Sequence, residues 1–203
     1  MAAITPTDTP YLKTSVWRIW LNRVPWLLLL MISATFTGLI INKNEETLNL
    51  PVIGIILTGC IPLLMDTGGN AGSQASVTII RSLAIGDVKI KDIFKVIWKE
   101  FRVSILLGFT LVVACFAKLM LIDQLFKVEN GYMVAIVICI TMFFTILLAK
   151  IIGCTLPIIA KCLKLDPAVV ASPFITTIID TISLSIYCAL AITILGNLYP
   201  TIS

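Results

Sequence analysis

Five apolar stretches dominate the chain, at about 24–42, 51–83, 101–122, 131–160 and 167–198. Each is long enough to cross a bilayer, for which roughly 20 apolar residues suffice. Hydrophobic residues make up 59% of the 203-residue chain and charged residues only 13%. A soluble domain carries roughly 25% charged residues, so lipid must solvate much of this surface. The expected fold class is therefore an all-α integral membrane protein with five transmembrane helices, multi-pass in the cell membrane. Residues 1–23 read as a cytoplasmic or interfacial N-terminal segment, and 24–203 as the transmembrane domain. The first apolar run lacks a small-residue cleavage site and should stay as a membrane helix.

Local signals place the ends of these helices. Pro25, Pro51 and Pro167 stand at or near first turns, where a missing N–H costs little. Asp166-Pro167 reads as a cap followed by the first helical residue. Asn130-Gly131 marks the turn between the third and fourth spans. Basic residues fall unevenly. Lys13, Arg18 and Arg23 precede the first span. Arg81, Lys89, Lys91, Lys95, Lys99 and Arg102 cluster around the second connection, and Lys161 and Lys164 around the fourth. The positive-inside rule then puts the N-terminus in the cytoplasm and the C-terminus outside. Within 87–101, Ile90, Ile93, Phe94, Ile97 and Phe101 recur at helical spacing with lysines between them, which predicts an amphipathic helix on the cytoplasmic leaflet. Residues 14–23 carry a similar pattern. Lys118 and Lys150 lie near span ends, where long side chains reach the interface.

Composition narrows the chemistry. Histidine is absent, which removes the commonest zinc and copper ligand and the usual proton relay. The six cysteines form no C-x-x-C pair and read as small apolar residues. Any cation must then meet oxygen ligands, which suit Mg²⁺, Ca²⁺, Mn²⁺, Na⁺ or K⁺. No enzymatic activity and no nucleic-acid partner are expected.

Charges within a bilayer are costly and usually functional. Asp66 and Asp180 lie deep in predicted spans and are too short to reach the interface. Asp66 opens Asp66-Thr67-Gly68-Gly69-Asn70-Ala71-Gly72-Ser73-Gln74, a polar and small-residue stretch midway along an apolar run. The glycines permit close helix approach or a helix break that exposes carbonyl oxygens. In the fifth span Ser172, Thr176 and Asp180 are spaced by four, and Ser183 and Tyr187 continue that face. Such a face should line water or a polar interface. One aspartate per subunit leaves a divalent ion half neutralised, whereas a two-fold dimer supplies two.

The run from Ile61 through Gln74, followed by Arg81-Ser82-Leu83-Ala84-Ile85-Gly86-Asp87, resembles the second membrane helix of the MgtE magnesium channels. Leu165-Asp166-Pro167-Ala168 and the run Ser172 to Asp180 resemble the last helix of that family, and Arg23-Val24-Pro25-Trp26-Leu27-Leu28 the start of its first. The resemblance implies a homodimer of five-helix subunits in the lipid bilayer, with one central pore that passes Mg²⁺. It implies that Asp180 binds hydrated Mg²⁺, that Gly69, Asn70 and Gly72 lie beside it, and that Ser172 is a pore residue. Family members usually carry cytoplasmic Mg²⁺-sensing domains before the first span. Only about 23 residues stand there in this sequence, so weak inhibition by internal Mg²⁺ is expected. Two alternatives stay open: a Na⁺-coupled Mg²⁺ exchanger, and, more remotely, an intramembrane aspartyl protease using Asp66 and Asp180.

Overall fold

The computed structural model describes residues 11–45, 53–122 and 124–195, with the side chains of 11, 126 and 169–173 outside the described set. Pro51 therefore lies outside the described residues. Among the described residues, five helices are long and apolar enough to cross a membrane. They are α1 (Val16–Lys43), α2 (Ile53–Ile85), α3 (Ile93–Leu121), α4 (Gly131–Cys162) and α5 (Pro167–Leu195).

α4 is the centre of the bundle and packs on α2, α3 and α5. Its sequence explains the position. Gly131, Ala135, Ala149, Gly153 and Ala160 keep it narrow, and Val134, Ile138, Ile146 and Ile158 fill the gaps to its neighbours. The core built on it includes Leu57 and Leu64 of α2, Leu119 of α3 and Ile175, Ile179 and Leu184 of α5, all buried. Two hydrogen bonds tie helices over long sequence distances. Tyr187 Oη donates to the Leu57 carbonyl at 3.0 Å, and Lys161 Nζ donates to the Leu83 carbonyl at 2.9 Å. The second places the C-terminal ends of α2 and α4 side by side. α1 differs from the other helices in having no buried residue. It leans on α5, where the Ser33 and Thr177 hydroxyls lie 2.9 Å apart.

Several helix ends follow their sequence signals. Asp166 Oδ1 accepts from the Ala168 N–H at 2.9 Å, capping α5 as expected. Asn130 takes a left-handed φ of 56° in the turn that starts α4. Gly86, at φ 83°, ends α2 in a conformation glycine adopts without steric cost.

Other expectations fail. Residues 16–23 are not a separate surface helix: Ser15 accepts from the Arg18 N–H at 3.3 Å and opens α1 there. Pro25 thus lies inside α1 rather than at its start. It removes one backbone donor, a loss that membrane helices tolerate. The amphipathic stretch 87–101 does not form an independent helix on the leaflet. A short 3₁₀ turn, Ile90–Asp92, leads into α3, which runs unbroken through the span. The cause is packing. Val96 is buried with Ala75, Ile79 and Leu83 of α2 and with Cys154 and Ile158 of α4, and Ile93 and Ile97 lie against the same cluster. Asp92 fixes the turn. Its carboxylate accepts from Lys95 Nζ and from the Lys89 N–H, both at 3.2 Å, and these bonds hold its carboxyl below the ordinary value.

A candidate cation pathway on α2 and α5

α2 shows no break at Asp66–Gln74. Glycine in a helix interior costs about 1 kcal/mol relative to alanine. Close packing here offsets that cost. A Cβ on Gly68 would lie 2.5 Å from Thr145 Cγ2 of α4 and 2.8 Å from Ile179 Cγ2 of α5. On Gly72 it would lie 2.5 Å from Ile179 Cδ1 and 3.1 Å from the Ala149 carbonyl oxygen. On Gly153 it would overlap the Gly72 carbonyl group. The glycines therefore bring α2, α4 and α5 to backbone contact, which favours the close-approach reading over the broken helix.

The same geometry sorts the predicted site residues. Gly69 and Gly72 are buried against α5, with Thr176 Cγ2 3.8 Å from a Cβ built on Gly69. Asp180 stands one turn beyond Thr176, and both are partly exposed. Asn70 points away from this contact and is exposed. Ser172 lies within α5, but its side chain is outside the described set. The polar face of α5 divides at Asp180. Beyond it, Ser183 and Tyr187 are buried, and Tyr187 is spent on its bond to Leu57. Ser183 Oγ is buried there without a hydrogen-bond partner.

A feature not singled out from the sequence appears on α2. Asp66, Asn70, Gln74, Thr78 and Arg81 recur at helical spacing, and all five are exposed on the side of the bundle. The periodicity was available in the chain, but only the packing of the other faces shows that this stripe is left uncovered. Beside it lies an open groove of about 820 Å³, lined by Asn70, Ser73, Gln74 and Thr78 of α2, Glu100 of α3 and Lys150 of α4. Lys150 does not reach the interface as expected. It is buried, with its Nζ 3.9 Å from Glu100 Oε2.

Among the described residues, no three His, Cys, Asp or Glu side chains converge on one point. An ion that keeps its water shell needs few direct protein ligands. Among the described residues five cysteines are buried and Cys162 is exposed, with no disulfide between them.

A family model described as a divalent cation transporter, MgtE, matches residues 61–190, which span α2 to α5. The chain belongs to the MgtE family. It is 30% identical over 191 residues to the magnesium transporter MgtE of Thermus thermophilus, covering 94% of this chain and 40% of that protein. It is 31% identical over 177 residues to the magnesium transporter MgtE of Bacillus subtilis, covering 87% of this chain and 37% of that one. The chain thus spans less than half the length of these MgtE relatives. Membership and the five apolar helices together make it a multi-pass membrane protein of a transporter family.

Proposed function

We propose that this chain is the ion-conducting membrane domain of a Mg²⁺ channel, working as a two-fold homodimer. In this reading α2 and α5 of both subunits line a water-filled pore, and the two Asp180 carboxylates face one hydrated Mg²⁺ there. Gly69 and Gly72 set the approach of α2 to α5, while Asn70 and Thr176 offer polar contacts to the ion's water shell. The basic ends of α2, α3 and α4 face the cytoplasm, as the distribution of lysine and arginine favours.

The exposed stripe on α2 carries the argument. Asp66, Asn70, Gln74, Thr78 and Arg81 cannot all face hydrocarbon: a charged side chain at the bilayer centre costs about 3 kcal/mol on insertion scales. They need water or protein opposite them. A second subunit across a water-filled gap provides both, and it doubles the charge offered to a divalent ion. Mg²⁺ dehydrates reluctantly, so a wide site with few direct ligands suits it. The two relatives reported above are magnesium transporters by name. Among the described residues no feature favours an aspartyl protease: Asp66 belongs to the exposed stripe on α2, and the family is one of transporters.

Cysteine accessibility tests this reading in membranes. With Cys162→Ser as background, single cysteines at Asp66, Asn70, Gln74 and Thr78 are expected to react with a membrane-impermeant charged thiol reagent and to cross-link into dimers. Cysteines at Leu106 and Phe109, exposed apolar positions on α3, are expected to resist it. Equal resistance at all six positions would contradict a water-filled path along α2.

A further inference from the structure

The groove between α2, α3 and α4 holds an unusual arrangement for a membrane interior. Glu100 Oε2 is buried and accepts no hydrogen bond. Its nearest counter-charge, Lys150 Nζ, stands 3.9 Å away, beyond hydrogen-bond reach. Desolvation of a buried ion pair is repaid only by excellent geometry and further hydrogen bonds, and this pair has no direct hydrogen bond. This pair stays apart at the edge of an open groove of about 820 Å³. The other polar lining consists of Asn70, Ser73, Gln74 and Thr78, all of which carry oxygen acceptors. A divalent ion with six waters, at about 30 Å³ each, occupies roughly 180 Å³ and fits without being stripped.

We propose that this groove is a second divalent-cation site, with the Glu100 carboxylate as its anionic ligand and the Lys150 ammonium as a tethered occupant that an arriving cation displaces. A carboxylate alone at this depth would hold a divalent ion firmly. Lys150 weakens that hold by competing for the same oxygen. Conduction requires such weakness, since an ion must leave as readily as it arrives. The groove takes in the Asn70, Gln74 and Thr78 part of the α2 stripe; its charged groups stand on α3 and α4 rather than on α5, so it shares Asn70 but no charge with the site proposed at Asp180.

The inference rests on the reading that divalent cations cross this bundle, and its test separates the two sites. The purified full chain with Asp180→Asn is titrated with Mn²⁺, followed by electron paramagnetic resonance. A weak class of Mn²⁺ binding is expected to remain. Lys150→Met in this background is expected to tighten it by about tenfold, the order expected for removing one unit charge a few ångströms away in a wet site. Adding Glu100→Gln is expected to abolish the gain. No tightening with Lys150→Met, or tightening that survives Glu100→Gln, overturns the proposal. Where Lys150→Met does not fold, Glu100→Gln alone decides: loss of the weak Mn²⁺ class supports the site, and unchanged binding overturns it. A strong Mn²⁺ class that survives Asp180→Asn would instead count against the Asp180 site, leaving the dependence on Glu100 to decide the groove.

Discussion

Asp180→Asn is expected to lower Mg²⁺ affinity and Mg²⁺ flux by about 100-fold or more while the protein still inserts and dimerises. Coulomb's law sets the scale. A carboxylate about 5 Å from a divalent ion contributes roughly 1.7 kcal/mol even at the dielectric of water, which exceeds a factor of ten. In the dimer the substitution removes two such charges at once. Asparagine keeps the size and much of the hydrogen bonding, so the loss reports charge rather than packing. Asp180 is partly exposed and stands next to the buried Ile179 on α5, so the core is left intact. Asp180→Glu retains the charge with a different reach and is expected to be intermediate. Asp66→Asn is expected to do less to affinity, because Asp66 lies on the exposed α2 stripe and away from the Gly69–Thr176 contact. Isothermal binding on the purified dimer and uptake into proteoliposomes are the two readouts.

Gly153→Val is expected to have the largest effect on folding. Its Cβ would overlap the Gly72 carbonyl, which is backbone and cannot rotate aside. α2 and α4 would have to separate, and Gly72 would lose its seat against Ala149 and Ile179. Overpacking of a tight core typically costs about 1–3 kcal/mol, and a backbone obstacle puts this case at or above the upper end. The expected result is a sharp drop in folded dimer on size-exclusion chromatography and in its thermal midpoint. Gly59→Ala is the control. Nothing lies within 4 Å of a Cβ there, and alanine is the better helix former by about 1 kcal/mol, so the midpoint should hold or rise. A Gly153→Val protein as stable as its parent would mean that α2 and α4 do not touch as described.

The spans were legible in the sequence because apolar runs of that length leave the backbone only one inexpensive conformation in lipid. The cap at Asp166 and the turn at Asn130-Gly131 were legible because each satisfies or redirects local backbone groups. Contacts that depend on how one helix is rotated against another were not. Glu100 stands between Lys99 and Arg102 in the sequence, and nothing in that neighbourhood singles it out. Only the rotation of α3 against α4 brings it to Lys150. The α2 stripe was hidden for a similar reason, since polar spacing on a helix does not reveal which face its neighbours leave open. The glycine run admitted two readings, a break or a close contact, and the narrow face of α4 at Ala149 and Gly153 decides between them. The start of α1 was misjudged because Pro25 is an allowed first-turn residue and also a tolerated interior one.

Mg²⁺ is expected to cross through a water-filled pore made by this membrane domain itself. Proteoliposomes holding only the purified chain and a Mg²⁺-sensitive dye inside measure it directly, with Mg²⁺ added outside, in the absence and presence of a Na⁺ gradient. Dye-reported Mg²⁺ influx is expected without Na⁺, driven by the Mg²⁺ gradient and membrane potential alone, and lost with Asp180→Asn. Influx that appears only with a Na⁺ gradient, or that persists undiminished with Asp180→Asn, would contradict it.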